Sequence, residues 1–205
     1  MSGALVAGVL AGYGIAVPVG AVSAYLVSLS ARTGLRTGAC AALGVATADG
    51  AYALAAVAGG AALTPVVEGV RTPLRWASVA VLLVLAAHTA LGALRRRGDP
   101  GGAGPDAPAG TRAYLGLLGI TLLNPMTVVY FTALVLGDTR TVTGAAQRVV
   151  FALAAFAASA SWQLLLAGGG ALLGRGLTGP RGRLVTACAS SVLITGLAVR
   201  LAVTG

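Results

Sequence analysis

Charge is scarce in this chain, and lysine is absent altogether. Only 9% of the 205 residues are charged, 57% are hydrophobic and the mean hydropathy is +0.90. One water-soluble domain of this length could not hide so much apolar surface, so the composition excludes a soluble globular protein and demands lipid. Histidine occurs once, as His88, which leaves a histidine metal site or a Ser/His/Asp triad little to draw on. A neutral, hydrogen-bonded core histidine is the plainer reading, and no metal or cofactor is expected. The two cysteines, Cys40 and Cys188, have neither a CxxC spacing nor a companion ligand set, and read as free structural thiols. The N-terminus lacks a basic n-region and its first apolar run is about twice the length of a signal-peptide core, so it is expected to remain as the first helix.

What the chain does have is arginine. The net charge of +9 and pI near 11.1 would suit nucleic acid, but the arginines gather at the ends of apolar runs and no aromatic-basic stripe accompanies them. Anionic lipid headgroups are the expected partner, and nucleic acid is not. Usage rich in Ala, Gly, Val and Arg hints at a G+C-rich bacterial genome. At roughly 20 residues per crossing, six spans need about 120 residues and leave room for short loops. The runs fall near 3–30, 39–63, 76–97, 113–136, 145–173 and 184–203, with Trp76 opening the third as an interfacial anchor.

Between the third and fourth runs, Gly98 to Gly110 reads GDPGGAGPDAPAG, with three prolines, five glycines and nothing large and apolar. It is expected to be a flexible hydrophilic linker, taken as 98–112. One transmembrane domain then has two halves, 1–97 and 113–205, of three spans each. An odd number of spans per half makes the second enter from the opposite face, so any likeness between halves is an inverted repeat. Loops one, three and five carry nine arginines (32, 36, 95, 96, 97, 112, 175, 181 and 183). The other side carries five, at 71, 75, 140, 148 and 200. That bias places the odd loops in the cytoplasm and both termini outside.

Two places interrupt the oily helices. Gly12 to Gly20, GYGIAVPVG, sets Pro18 and the glycines Gly12, Gly14 and Gly20 in the middle of the first span, and Asn124-Pro125 sits at the centre of the fourth. Proline removes the donor that would bond one turn back, freeing polar backbone near the bilayer centre. Membranes tolerate such backbone only where protein buries it or a cavity is lined, so paired breaks at matching depth point to a transport site, although a packing kink is the simpler alternative. Asp49 is the only acid deep inside a span. A charge there costs at least about 2.5 to 3.5 kcal/mol, so it needs a partner, water or a proton, and it is the candidate for carrying a proton or binding a cargo ammonium. Asn124 offers donors and an acceptor beside the freed carbonyl. Ser159, Ser161, Trp162 and Gln163 form the most polar cluster within the fifth span, where Trp162 would wall a cavity or pack a helix contact. Gly8 and Gly12, four apart, would let another helix come close. Gly174 to Gly179 and Gly169 to Arg175 imitate nucleotide-binding glycine patterns, but neither follows a strand.

These residues resemble the lysine exporter family of bacterial amino acid efflux proteins over nearly the whole chain. Pro18-Val19-Gly20 is similar to the start of its first-helix P-x-G-P motif, Gly34, Gly38, Gly44 and Asp49 follow in the family's order, and Asn124-Pro125 resembles its fourth-helix motif. Ser159 and Trp162 are similar to a fifth-helix pattern of the branch exporting basic amino acids. The sequence departs from the pattern at Ala21, where the family usually has a second proline, and at Val22 and Ser23, where that branch tends to have Gln-Asn. The resemblance implies an all-α protein of six transmembrane helices in a 3+3 inverted repeat with helices one and four broken, a multi-pass protein of the bacterial inner membrane. It implies export of amino acids or small derivatives by alternating access, driven by protons or membrane potential. Gly14, Pro18, Gly20, Asp49, Asn124, Pro125, Ser159 and Trp162 are the expected substrate-binding residues, with Asp49 also serving the coupling ion. No enzymatic activity is expected, and a homodimer is compatible with the sequence. The alternatives are a membrane thiol-disulfide carrier, which would need a cysteine pair beside the breaks, and a membrane scaffold whose breaks serve packing alone.

Overall fold

The structure, a computed structural model, describes residues 1–18, 20–59, 110–124 and 144–176 continuously, together with scattered positions elsewhere. Pro125, His88, the linker from 98 to 109 and most of the third and sixth spans lie outside the described residues. The protein is all-helical, and no strand occurs among the described residues. That is the expected answer of a chain whose backbone must satisfy its own hydrogen bonds in hydrocarbon.

Five helices are described: α1 (Ser2–Ala16), α2 (Ala21–Thr33), α3 (Leu35–Gly59), α4 (Gly110–Leu122) and α5 (Ala145–Gly176). Helices α3 and α5 are each long and apolar enough to cross a membrane, and α1 with α2 makes a third candidate if the bent pair counts as one span. The first run therefore differs from a continuous 3–30 helix. Helix α1 stops at Ala16, where the Val17 N–H still reaches the Tyr13 carbonyl at 2.9 Å, and α2 starts afresh after Gly20 with its axis turned by 76°. Pro18 sits in that interval, where its missing N–H and its ring forbid another regular turn.

Helix α2 passes to α3 through one residue. Gly34 adopts φ +89°, which costs a side-chain-bearing residue strain, and its N–H bonds the Ser30 carbonyl at 2.9 Å. The connection is thus shorter than the gap between the expected runs, and α3 starts at Leu35, four residues earlier than 39. Helix α4 begins at Gly110, three residues earlier than expected, and ends at Leu122, and most of the rest of the expected run to 136 lies outside the described residues. The Asn124 N–H bonds the Thr121 carbonyl, the Thr127 N–H bonds the Asn124 carbonyl, and helical backbone is found again at Thr127 and Tyr130.

Small residues set the packing. A methyl group added at Gly8 would strike the Phe151 carbonyl oxygen and come within 2.8 Å of the Ala154 Cβ. One added at Gly12 would strike the Ala155 oxygen and come within 2.8 Å of the Ala158 Cβ. The backbones of α1 and α5 thus touch, as the Gly8/Gly12 spacing anticipates. Gly44 plays the same part between α3 and α4, facing the Tyr114 carbonyl and the Leu118 nitrogen, and Gly170 and Gly174 admit α2 at Val27 and Ala31. Larger side chains fill the remainder. Leu26, Leu29, Val45, Leu117 and Ala167 form one core cluster, and Phe151, Ala155, Ala53, Ala56 and Ala11 form another.

Candidate functional site

Contacts of α5 fix the level of the first break. Gly8, Gly12 and Tyr13 meet α5 at Phe151, Ala155 and Ser161 in turn, and Val27 and Ala31 meet it at Gly170 and Gly174. Both α1 and α2 therefore progress toward the C-terminal end of α5, and the interval between Ala16 and Ala21 falls level with residues 159–163. Helix α3 runs the other way along α5, with Gly38 near Ala167 and Gly50 near Phe156.

Asp49 arrives at this level. Its side chain is 2% exposed and accepts a 2.6 Å hydrogen bond at Oδ2 from the Ser159 hydroxyl, which is itself fully buried. The end of α4 lies beside it. Tyr52, one turn along α3 from Asp49, donates a 2.5 Å bond to the Leu122 carbonyl at the end of α4. Helix ends leave carbonyls without intrahelical partners, so Tyr52 supplies what the interrupted α4 lacks. Tyr130, past the same break, bonds the Ala11 carbonyl at 3.1 Å and lies against Gly14, where a Cβ would meet its hydroxyl. Tyr114 donates to Thr47 Oγ1 at 3.1 Å, and Tyr13 and Ser161 share a 2.8 Å bond. The end of α4 thus lies within one turn of Asp49 along α3, and the interval between α1 and α2 falls level with Ser159 along α5.

The expected residues divide in that light. Asp49 and Ser159 are in direct contact, and Gly14 packs under Tyr130. Gly20 caps the N-terminus of α2 in an extended conformation, with no side-chain cap. Pro18 is exposed, so it shapes the break without lining a buried cavity among the described residues. Asn124 is half-buried, with its backbone N–H and carbonyl both engaged across the second break. Trp162 is half-buried and its indole Nε1 has no hydrogen-bond partner. Pro125 lies outside the described residues. Cys40 faces the start of α4 at Gly110, two turns and more from Asp49, and is a free thiol.

Sequence reasoning missed the tyrosines. Their signal was available, because Tyr52 stands three residues after Asp49 and so shares its side of the helix, and a phenol in an apolar span needs a partner. Gln163 was seen as part of a polar cluster without a place in the site. It is buried one turn after Ser159, and its Oε1 has no hydrogen-bond partner.

No metal-binding group of three or more His, Cys, Asp or Glu occurs among the described residues. Among the comparisons with known proteins, neither a curated protein nor a solved structure matches the chain. A family model, that of the LysE type translocators, matches residues 14–205, from just before the first break to the last residue. With nearly its whole length matched, the chain belongs to the LysE type translocator family.

Proposed function

We propose that this protein is a secondary transporter that exports amino acids or small amino-acid derivatives from the cytoplasm by alternating access. In this reading six spans form a 3+3 inverted repeat in the inner membrane of a bacterium, with spans one and four broken, odd loops in the cytoplasm and both termini outside. Interrupted helices meeting near the bilayer midplane are the usual seat of cargo and coupling ions in such proteins. The observation that carries the reading is the Asp49–Ser159 hydrogen bond, a buried carboxyl held at the level of both helix interruptions.

Packing supports the repeat. Helix α1 lies on α5 through glycines, and α4 lies on α3 through a glycine, which is the exchange that swapping halves would produce. Asp49 comes fourteen residues after Leu35, the first of α3, and Ser159 fourteen after Ala145, the first of α5. Counted from those two helix starts, the partners of the central bond stand at equal distance, which supports the repeat.

Asp49 changes protonation or binds the cargo ammonium, and the freed backbone near Gly20 and Asn124, with Pro125, Ser159 and Trp162 around it, holds the rest. Proteoliposomes screened for amino acid efflux with and without a pH gradient test this directly. Excretion by cells carrying Asp49→Ala and Pro18→Ala variants at normal expression should fall well below wild type. Wild-type excretion by both variants across a broad amino acid panel removes the transport reading and leaves a packing role for the breaks.

A further inference from the structure

Gln163 is only 3% exposed, and its Oε1 has no hydrogen-bond partner. A buried polar group in that state carries a desolvation penalty that a ligand able to donate to it would remove. Its place follows from α5. Ala155, Ser159, Gln163 and Ala167 recur every four residues and are all buried, forming one face of the helix. Ser159 bonds Asp49, and Ala167 clusters with Ala41 and Ala42 of α3. Gln163 therefore sits one turn, about 5.4 Å, beyond the Asp49–Ser159 pair along the α3 seam.

The start of α2 comes to the same place. From the contacts of Val27, Ser30 and Ala31 with Gly170 and Gly174, the first turn of α2 falls level with Gln163. Gly20 gives that helix no side-chain cap, so the N–H groups of Ala21, Val22 and Ser23 lack the usual oxygen. Two kinds of unmet polarity thus fall at one level of α5. The acceptors are the Asp49 carboxyl and Gln163 Oε1, and the donors are those of a helix N-terminus with its partial positive charge. The segments 20–24, 45–52 and 159–163 themselves contain no arginine.

We infer that Gln163 is a specificity residue of the cargo site: its carbonyl oxygen, with Asp49, holds the cargo ammonium group while the uncapped first turn of α2 takes the carboxylate. This rests on the transport reading above. An ammonium has three donors, and the Asp49 carboxyl, Gln163 Oε1 and the Ser159 oxygen are three acceptors on adjacent turns. Ligands with an ammonium but no carboxylate then depend on Gln163, and ligands with only a carboxylate do not.

The experiment uses the full chain in lipid nanodiscs. Binding of the twenty common amino acids is screened first, and the tightest binder is then compared with its methyl ester and its N-acetyl derivative. Gln163→Leu should weaken the amino acid and the methyl ester by about tenfold or more and leave the N-acetyl compound within about twofold of wild type. Gln163→Glu, which keeps an acceptor, should retain the ester. The inference is overturned if Gln163→Leu binds the ester like wild type, if the N-acetyl compound is weakened equally, or if the ester does not bind the wild-type protein. Should Gln163→Leu fail to fold, loss of the ester by a folded Gln163→Glu overturns it as well. A wild-type protein that binds none of the amino acids overturns the transport reading itself, which is a different result from any of these.

Discussion

Ser159→Ala is the most direct probe of the central layer. It deletes the hydroxyl that donates the 2.6 Å bond to Asp49, in a place where the acid is 2% exposed. Interhelical hydrogen bonds inside membrane proteins average about 0.6 kcal/mol in double-mutant cycles and reach about 1.7. A short bond to a carboxyl shielded from water belongs at the upper end, so the coupling between positions 49 and 159 should be about 1.5 kcal/mol. At roughly 2 to 4 °C per kcal/mol for a chain of this size, the pairwise term is worth roughly 3 to 6 °C in Tm. The assay is thermal unfolding of the purified protein for wild type, Asp49→Ala, Ser159→Ala and the double variant. Asp49→Asn accompanies them because its amide oxygen can still accept from Ser159 while the titratable group is gone. It should unfold like wild type yet lose proton-coupled or amine-directed transport. A coupling below about 0.5 kcal/mol would refute the bond as a structural joint, and undiminished transport by Asp49→Asn would refute the acid as a working group.

Gly12→Ala should cost roughly 1 to 3 kcal/mol, because the new methyl meets the Ala155 carbonyl and Ala158, and Gly8→Ala should do the same; unchanged melting temperatures would contradict the close approach of α1 to α5. Gly34→Ala should lower stability by about 1 to 2 kcal/mol through its φ of +89°, while Gly116→Ala, with open space around its Cβ, should be neutral or stabilising by the same thermal assay. Tyr52→Phe should lose about 0.6 to 1.7 kcal/mol by leaving the Leu122 carbonyl without its phenol donor, and should slow efflux from proteoliposomes; wild-type values in both assays would detach Tyr52 from the second break.

Much of the scaffold was legible because the relevant rules are local. Pro18 announces the end of α1 through its own chemistry, Gly34 marks a turn, and the Gly8/Gly12 spacing shows a face without side chains. The level of α2, α3 and α5 relative to one another was not legible, since helical periodicity says which residues share a face and nothing about which foreign face they meet. Asp49 could therefore be singled out as an expensive acid, but not assigned Ser159 as its partner. The same limit hid Tyr52, whose role depends on α4 stopping at Leu122. The interruption of the fourth run could be expected from Asn124-Pro125, but not that Tyr52 of α3 would reach the Leu122 carbonyl there.

The seams of α5 hold its neighbours in two different manners. Against α1 the contact is backbone on backbone at Gly8 and Gly12, with the Tyr13–Ser161 hydrogen bond at its exposed edge. Axial slip there must break that exposed bond. Against α3 the Asp49–Ser159 bond pins one register, and any slip must break it. The same central helix therefore carries one latch at an exposed edge and one in the buried interior, and a shear of α1 along α5 breaks the first.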